Sequence, residues 1–169
     1  MDHRLIKIKQ AVEELAAKIG IEPEPIGYGK SINGLYIEAE GQHWITYHLM
    51  CMGDRGGEEL IKIAVNEDEL LYAIFRHLIY STASSFAANS PRTQDWRRLY
   101  FQKKEELMGL LNADWEKRMQ KEHLDILKSN SFDDNQGLRV DYSVTLRSEG
   151  IPDSEAWDLA VKKYPYPKH

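Results

Sequence analysis

The stretch His43-Trp44-Ile45-Thr46-Tyr47-His48-Leu49-Met50-Cys51-Met52 decides the fold. In an extended chain, Trp44, Thr46, His48, Met50 and Met52 point to one side and Ile45, Tyr47, Leu49 and Cys51 to the other. Both sides are largely apolar, so this strand belongs in the middle of a sheet. Upstream, Leu35 to Ala39 reads as a shorter strand, joined through the turn Glu40-Gly41-Gln42. Downstream, Gly53-Asp54-Arg55-Gly56-Gly57 is a second turn, and Glu59 to Val65 alternates with Ile61, Ile63 and Val65 on one side. The expectation is a three-stranded antiparallel meander over residues 35–65.

Helical periods flank this sheet. Leu5, Ile8, Val12, Leu15, Ala16 and Ile19 recur at three- and four-residue steps, which predicts an N-terminal helix over residues 1–20 with Gly20 as its stop. Glu22-Pro23-Glu24-Pro25 cannot continue it and reads as an extended connector. Asn66, with Glu69 three residues on, is a helix start, and Leu70, Leu71, Ile74, Phe75, Leu78 and Ile79 give that helix a wide apolar stripe. Ser84 to Thr93 reads as a loop or a fraying end. A second helical period runs from Trp96 to Leu127; unbroken, it would be about 50 Å long, so a break is expected between Gly109 and Asp114. Asp141 to Arg147 fits either helix or strand, and Asp153 to Lys163 is a closing helix stopped by Tyr164-Pro165. The fold class is α+β. One domain spans residues 1–169: an N-terminal helix, the meander, a helical core over 66–128 and a helical C-terminal segment over 138–169.

A chain of 169 residues can bury about 70% of the surface that its unfolded form exposes, enough for a real core. The balance of 42% hydrophobic and 29% charged residues is that of an ordered globule rather than a disordered chain. A formal net charge of −5 argues against a plain electrostatic nucleic-acid binder, which needs a basic face. Cys51 is the single cysteine, which rules out an intramolecular disulfide and a cysteine-based zinc site. The start, Met1-Asp2-His3-Arg4, runs into a charged helix with no leader-like apolar region, and no stretch is apolar enough to span a bilayer. A cytoplasmic protein without membrane or nucleic-acid partners is expected.

Motifs of chemistry are weak. Gly29-Lys30-Ser31 resembles the end of a phosphate loop, but Glu24 stands where the first glycine is required. Counting a calcium loop from Asp133 puts Gly137 at position five and Val144 at position twelve, so Asp133-Asp134-Asn135 reads as a solvated acidic loop. His43 and His48 are five apart on a strand and face opposite ways, and no histidine pair has metal-ligand spacing. No metal and no cofactor are expected, and no catalytic residue is assigned. Asp95-Trp96-Arg97-Arg98-Leu99-Tyr100-Phe101 is the densest cluster of unusual residues. It reads as an interface hot spot or, more simply, as a helix start: Thr93 or Asp95 caps it, Trp96, Leu99 and Tyr100 enter the core, and an arginine pairs with a carboxylate. Arg55 is the expected partner of Asp95 or of another buried carboxylate.

Several segments in order resemble the immunity proteins of bacterial polymorphic toxin systems, specifically immunity protein family 63. They are Tyr47-His48, Asp54-Arg55-Gly56, Asp68-Glu69-Leu70-Leu71-Tyr72 with Ile74-Phe75, and Gln94-Asp95-Trp96-Arg97-Arg98 with Phe101, followed by Trp115 and Phe132-Asp133-Asp134. The similarity covers roughly residues 34–134. It implies a small, non-enzymatic cytosolic protein that binds and neutralises a cognate toxin, with Tyr47, Arg55, Tyr72, Asp95, Trp96, Arg97 and Arg98 as motif or structural residues. A basic toxin would complement the chain's acidic balance, and Glu67, Asp68, Asp133 and Asp134 are the expected steering and docking carboxylates, none of them needed for packing. Two other readings compete: an enzyme with a site near His48, His77 and Arg55, and a regulatory adaptor with no toxin partner.

Overall fold

The computed structural model describes residues 2–22, 26–30, 34–53 and 57–167. The Asp54-Arg55-Gly56 turn, and with it the expected Arg55–Asp95 pairing, lies outside them, as do Pro23-Glu24-Pro25 of the connector and Ser31 of the phosphate-loop-like tripeptide. The architecture is α+β, with a four-stranded sheet and six α-helices among the described residues. Contacts divide the chain into two compact units, Met1–Tyr80 with Leu107–Trp115, and Ser81–Glu106 with Glu116–His169.

The first unit opens on α1 (His3–Lys18), whose Leu5, Ile8, Val12 and Ala16 are buried as the period requires. Asp2 caps it, accepting a hydrogen bond from the Arg4 amide (3.0 Å). Gly20, at φ +67°, ends it: the Gly20 amide returns to the Ala17 carbonyl and the Ile21 amide to that of Ala16, a left-handed glycine stop. The sheet follows with β1 (Gly27–Tyr28), β2 (Gly34–Glu40), β3 (Thr46–Met52) and β4 (Glu58–Ala64), ordered β1-β2-β3-β4. β2, β3 and β4 are the expected antiparallel meander. β1 adds a fourth, parallel strand on the outside of β2; two residues, one of them glycine, carry no alternation by which to find it. α1 packs against β1 and β2.

Two details of the sheet differ from the sequence reading. β3 begins at Thr46 rather than His43, because Gly41 to Ile45 form the turn. The alternation of Ile61, Ile63 and Val65 on one side also fails. The register shifts opposite Leu49 and Met50, so Ile61 is an extra residue, and Leu60 and Ile63 share a face as the partners of Met50 and His48.

α2 (Glu67–Ala87) ends inside the small-residue stretch read as a loop or a fraying end: residues 84–87 are its last turn. Asn66 caps it as predicted, its Oδ1 accepting from the Glu69 amide (2.8 Å). Leu70, Tyr72, Ile74, Phe75, Leu78 and Ile79 are buried on its inner stripe. Trp115 closes this unit: its Nε1 donates to Asp68 Oδ1 (2.8 Å), and its ring meets Tyr72 edge-on and Phe75 at a tilt.

The long helical period breaks where expected, into α3 (Arg97–Leu111) and α4 (Ala113–Ser129). Asn112 is the break, and its side chain re-caps the chain by accepting from the Asp114 amide (2.8 Å). The ambiguous segment is helical: α5 (Gln136–Ser148) pairs with α6 (Asp153–Lys163) in a helical hairpin turned at Gly150, φ +91°. α6 buries only alanines, Ala156 and Ala160.

Candidate functional site

The motif Asp95-Trp96-Arg97-Arg98 lies in the second unit and organises it. Asp95 stands just before α3 and is 1% exposed. Its Oδ1 accepts from the Arg97 amide (2.9 Å) and Nε (3.1 Å), the bond of an N-cap. Its Oδ2 accepts from Arg97 Nε (3.1 Å), Arg97 Nη2 (2.6 Å) and the Asp133 amide (2.7 Å). Burial raises the pKa of this carboxyl, but the Arg97 bonds and the two amides outweigh it and hold the group below its ordinary range. Arg97 then reaches the carbonyls of Asn130 (3.0 Å) and Ser131 (2.8 Å). Arg98 is bidentate to Asp134, both bonds 2.8 Å, and the Asp95 amide donates to the same Asp134 Oδ1. Arg98 also lies 4.1 Å from the centre of the Phe132 ring.

Arg139 completes the network. It is as deeply buried as Asp95, binds Asp133 Oδ2 through Nη1 (3.1 Å) and Nη2 (2.6 Å), and lies 4.0 Å from the centre of the Tyr166 ring. Three guanidinium–carboxylate pairs thus fasten the start of α3 to residues 130–134 and to α5. Asp95 pairs with Arg97, two residues along the chain, because the cap geometry folds that arginine back onto it, an arginine–carboxylate pair of the kind expected at this helix start. Two expectations are corrected here. Asp133 and Asp134 are not free solvated charges: they neutralise Arg139 and Arg98 and are part of the packing. Trp96 does not enter the core. It precedes the helix, is exposed, and leans on Tyr100 at 5.2 Å between ring centres.

A cavity of about 470 Å³ opens beside this network, lined by Arg98, Phe101, Glu105, His123, Leu124 and Phe132 among others. His123 is buried and stacked on Phe101 at 3.9 Å, and its Nδ1 donates to Glu105 Oε1 (2.6 Å). Burial lowers the His123 pKa, and Glu105 offsets this only in part. Nothing in the sequence points to this pair. Glu105 and His123 are 18 residues apart on two helices, a separation with no local spacing rule.

The remaining residues singled out from the sequence scatter. Tyr47 and Tyr72 are buried in the first unit, in β3 and α2. His48 lies on β3 with Nε2 3.8 Å from Glu40 Oε2, and His77 is exposed on α2. Glu67 and Asp68 begin α2: Glu67 is exposed, whereas Asp68, expected to play no part in packing, accepts from the indole of the buried Trp115. Among the described residues no group of three or more His, Cys, Asp or Glu side chains is placed to hold a metal ion. No described helix is long and apolar enough to cross a membrane.

No curated protein and no solved structure matches the chain. Residues 43–125, from the β2–β3 turn into the body of α4, match the family model of Immunity protein 63, the same family that the ordered motifs resemble.

Proposed function

We propose that this chain is a cytoplasmic immunity protein that binds a cognate toxin domain and neutralises it by occlusion, without catalysing a reaction. The family match over residues 43–125 carries the reading. The site geometry supports it. The charged motif side chains bind one another, Asp95 with Arg97, Asp134 with Arg98 and Asp133 with Arg139, which is how a scaffold is braced. His123 is likewise held between Phe101 and Glu105. The acidic balance of −5 favours a basic partner, since complementary fields speed encounter. Asp133 and Asp134 add little to that field once paired, so Glu67 and Asp68 carry most of the steering assigned to the four carboxylates.

Co-expression with the toxin domain encoded beside its gene tests the reading. An occluding inhibitor restores growth, co-purifies with the toxin, and abolishes its activity at one equivalent. Full protection at a small fraction of an equivalent would show a catalytic antagonist instead. Failure to co-purify or to protect overturns the proposal.

A further inference from the structure

The structure assigns the docking of that partner to the open face of the sheet beside Trp44, and the partner to a basic surface with an apolar centre; this rests on the immunity reading. Trp44 is 89% exposed, and it sits in the turn between β2 and β3. That turn is braced by its own backbone and by Arg4. Gly41 has φ +89°, and a Cβ there would lie 2.0 Å from the Trp44 carbonyl oxygen, so only glycine fits. Arg4, itself gripped by Asp2, donates through Nη1 to the Gly41 carbonyl (2.6 Å) and through Nη2 to that of Ala39 (3.3 Å). A tryptophan left in water on a braced turn has lost little freedom by the time it is covered, and such residues dominate binding energy.

The sheet register shows what surrounds it. Thr46, His48 and Met50 of β3 share a face with Glu40, Glu38 and Tyr36 of β2 and with Ile63 and Leu60 of β4. Tyr36 is covered, but Leu60 and Ile63 are each 47% exposed, and Val65, just past β4, is exposed as well. Ile63 stands opposite His48 and Glu40 opposite Thr46, so the apolar patch and the Trp44 turn occupy the same end of the sheet. Among the described residues, the ionised groups on this face are Glu38, Glu40 and Glu58, against Lys30, which pairs with Glu58 (2.8 Å). The face is therefore apolar with a net acidic margin. A second copy would bring like charge to like charge, whereas a basic partner surface is complementary in both respects.

The test is binding of the purified full chain to the adjacent toxin domain, carrying an inactivating substitution, by biolayer interferometry at low and high salt. Trp44→Ala and, independently of the turn, Ile63→Glu should each weaken affinity about 30-fold or more, the range of a hot-spot truncation. Glu38→Lys with Glu40→Lys should slow association about tenfold at low salt and flatten its salt dependence. Val144→Ala, an exposed apolar residue of α5, should bind as the unaltered chain does. Circular dichroism checks that each variant is folded. If the unaltered chain binds and both Trp44→Ala and Ile63→Glu bind within threefold of it, this surface is wrong while the immunity reading stands. If the unaltered chain does not bind, the immunity reading itself falls and the surface with it. A concentration-dependent dimer abolished by Ile63→Glu would assign the face to a second copy and overturn the proposal.

Discussion

Replacing Asp95 with alanine deletes an acceptor whose five hydrogen bonds come from the Arg97 amide, Nε (to both oxygens) and Nη2 and from the Asp133 amide. Removing one partner of a buried ion pair costs about 3–5 kcal/mol, because the other charge is left unpaired. Arg97 retains the Asn130 and Ser131 carbonyls and a side chain 21% exposed, which places the expected loss near the lower limit, about 3 kcal/mol. Asp95→Asn keeps an oxygen for the cap but loses the charge, and should cost about 1–2 kcal/mol. Asp134→Ala removes a half-exposed partner of Arg98 and should cost about 1 kcal/mol or less. The assay is urea unfolding at pH 7, reading the midpoint at unchanged slope. Acid sharpens the test. The Asp95 and Asp134 carboxyls lie below their ordinary pKa in the folded chain, so their contribution is complete above the unfolded carboxylate range and is lost as pH falls through the folded values. Asp95→Ala should therefore differ less from the unaltered protein at low pH than at pH 7. A loss below about 1 kcal/mol at pH 7, or one equal to that of Asp134→Ala, refutes the bracing role given to Asp95.

Three further outcomes are expected. Asp133→Lys should destabilise by several kcal/mol, since it sets a second cation beside the buried Arg139; a change within about 0.5 kcal/mol, as at an ordinary surface site, would show that the pair is not formed. His123 has its pKa lowered by burial, so the unfolded chain takes up a proton at higher pH than the folded one, and stability falls as pH drops through about 6.5. The stability gap between the unaltered chain and His123→Gln should narrow from pH 8 to pH 5.5, and a constant gap counts against this. Asn66→Ala removes the cap of α2 and should cost about 1 kcal/mol in the same unfolding assay.

Much of this architecture was legible because it depends on local period and capping. The stripe of α1, the Asn66 cap, the central position of β3, the break near Asn112 and the closing helix all follow from residues within a few positions of one another. Several of the errors share a cause, a partner distant in sequence. The register shift at Ile61 is decided by β3, and the length of β1 by β2. Asp133 and Asp134 look like loop charges until Arg139 and Arg98 are folded against them. Trp96 follows the helical period of α3 yet stands one residue ahead of its first turn, and periodicity alone does not show where a helix begins.

The extra residue in β4 bears on how the chain avoids pairing with copies of itself. β4 is the last strand of the sheet, and Leu60, Ile61 and Ile63 are exposed along it, a composition that templates edge-to-edge polymerisation when the strand is flat. The bulge at Ile61 breaks the even spacing of free amides and carbonyls and coils the strand away from the plane of its neighbour. An incoming strand could then pair over only two or three residues before losing register. Deleting Ile61 would straighten the edge and turn a capped sheet into a growing one.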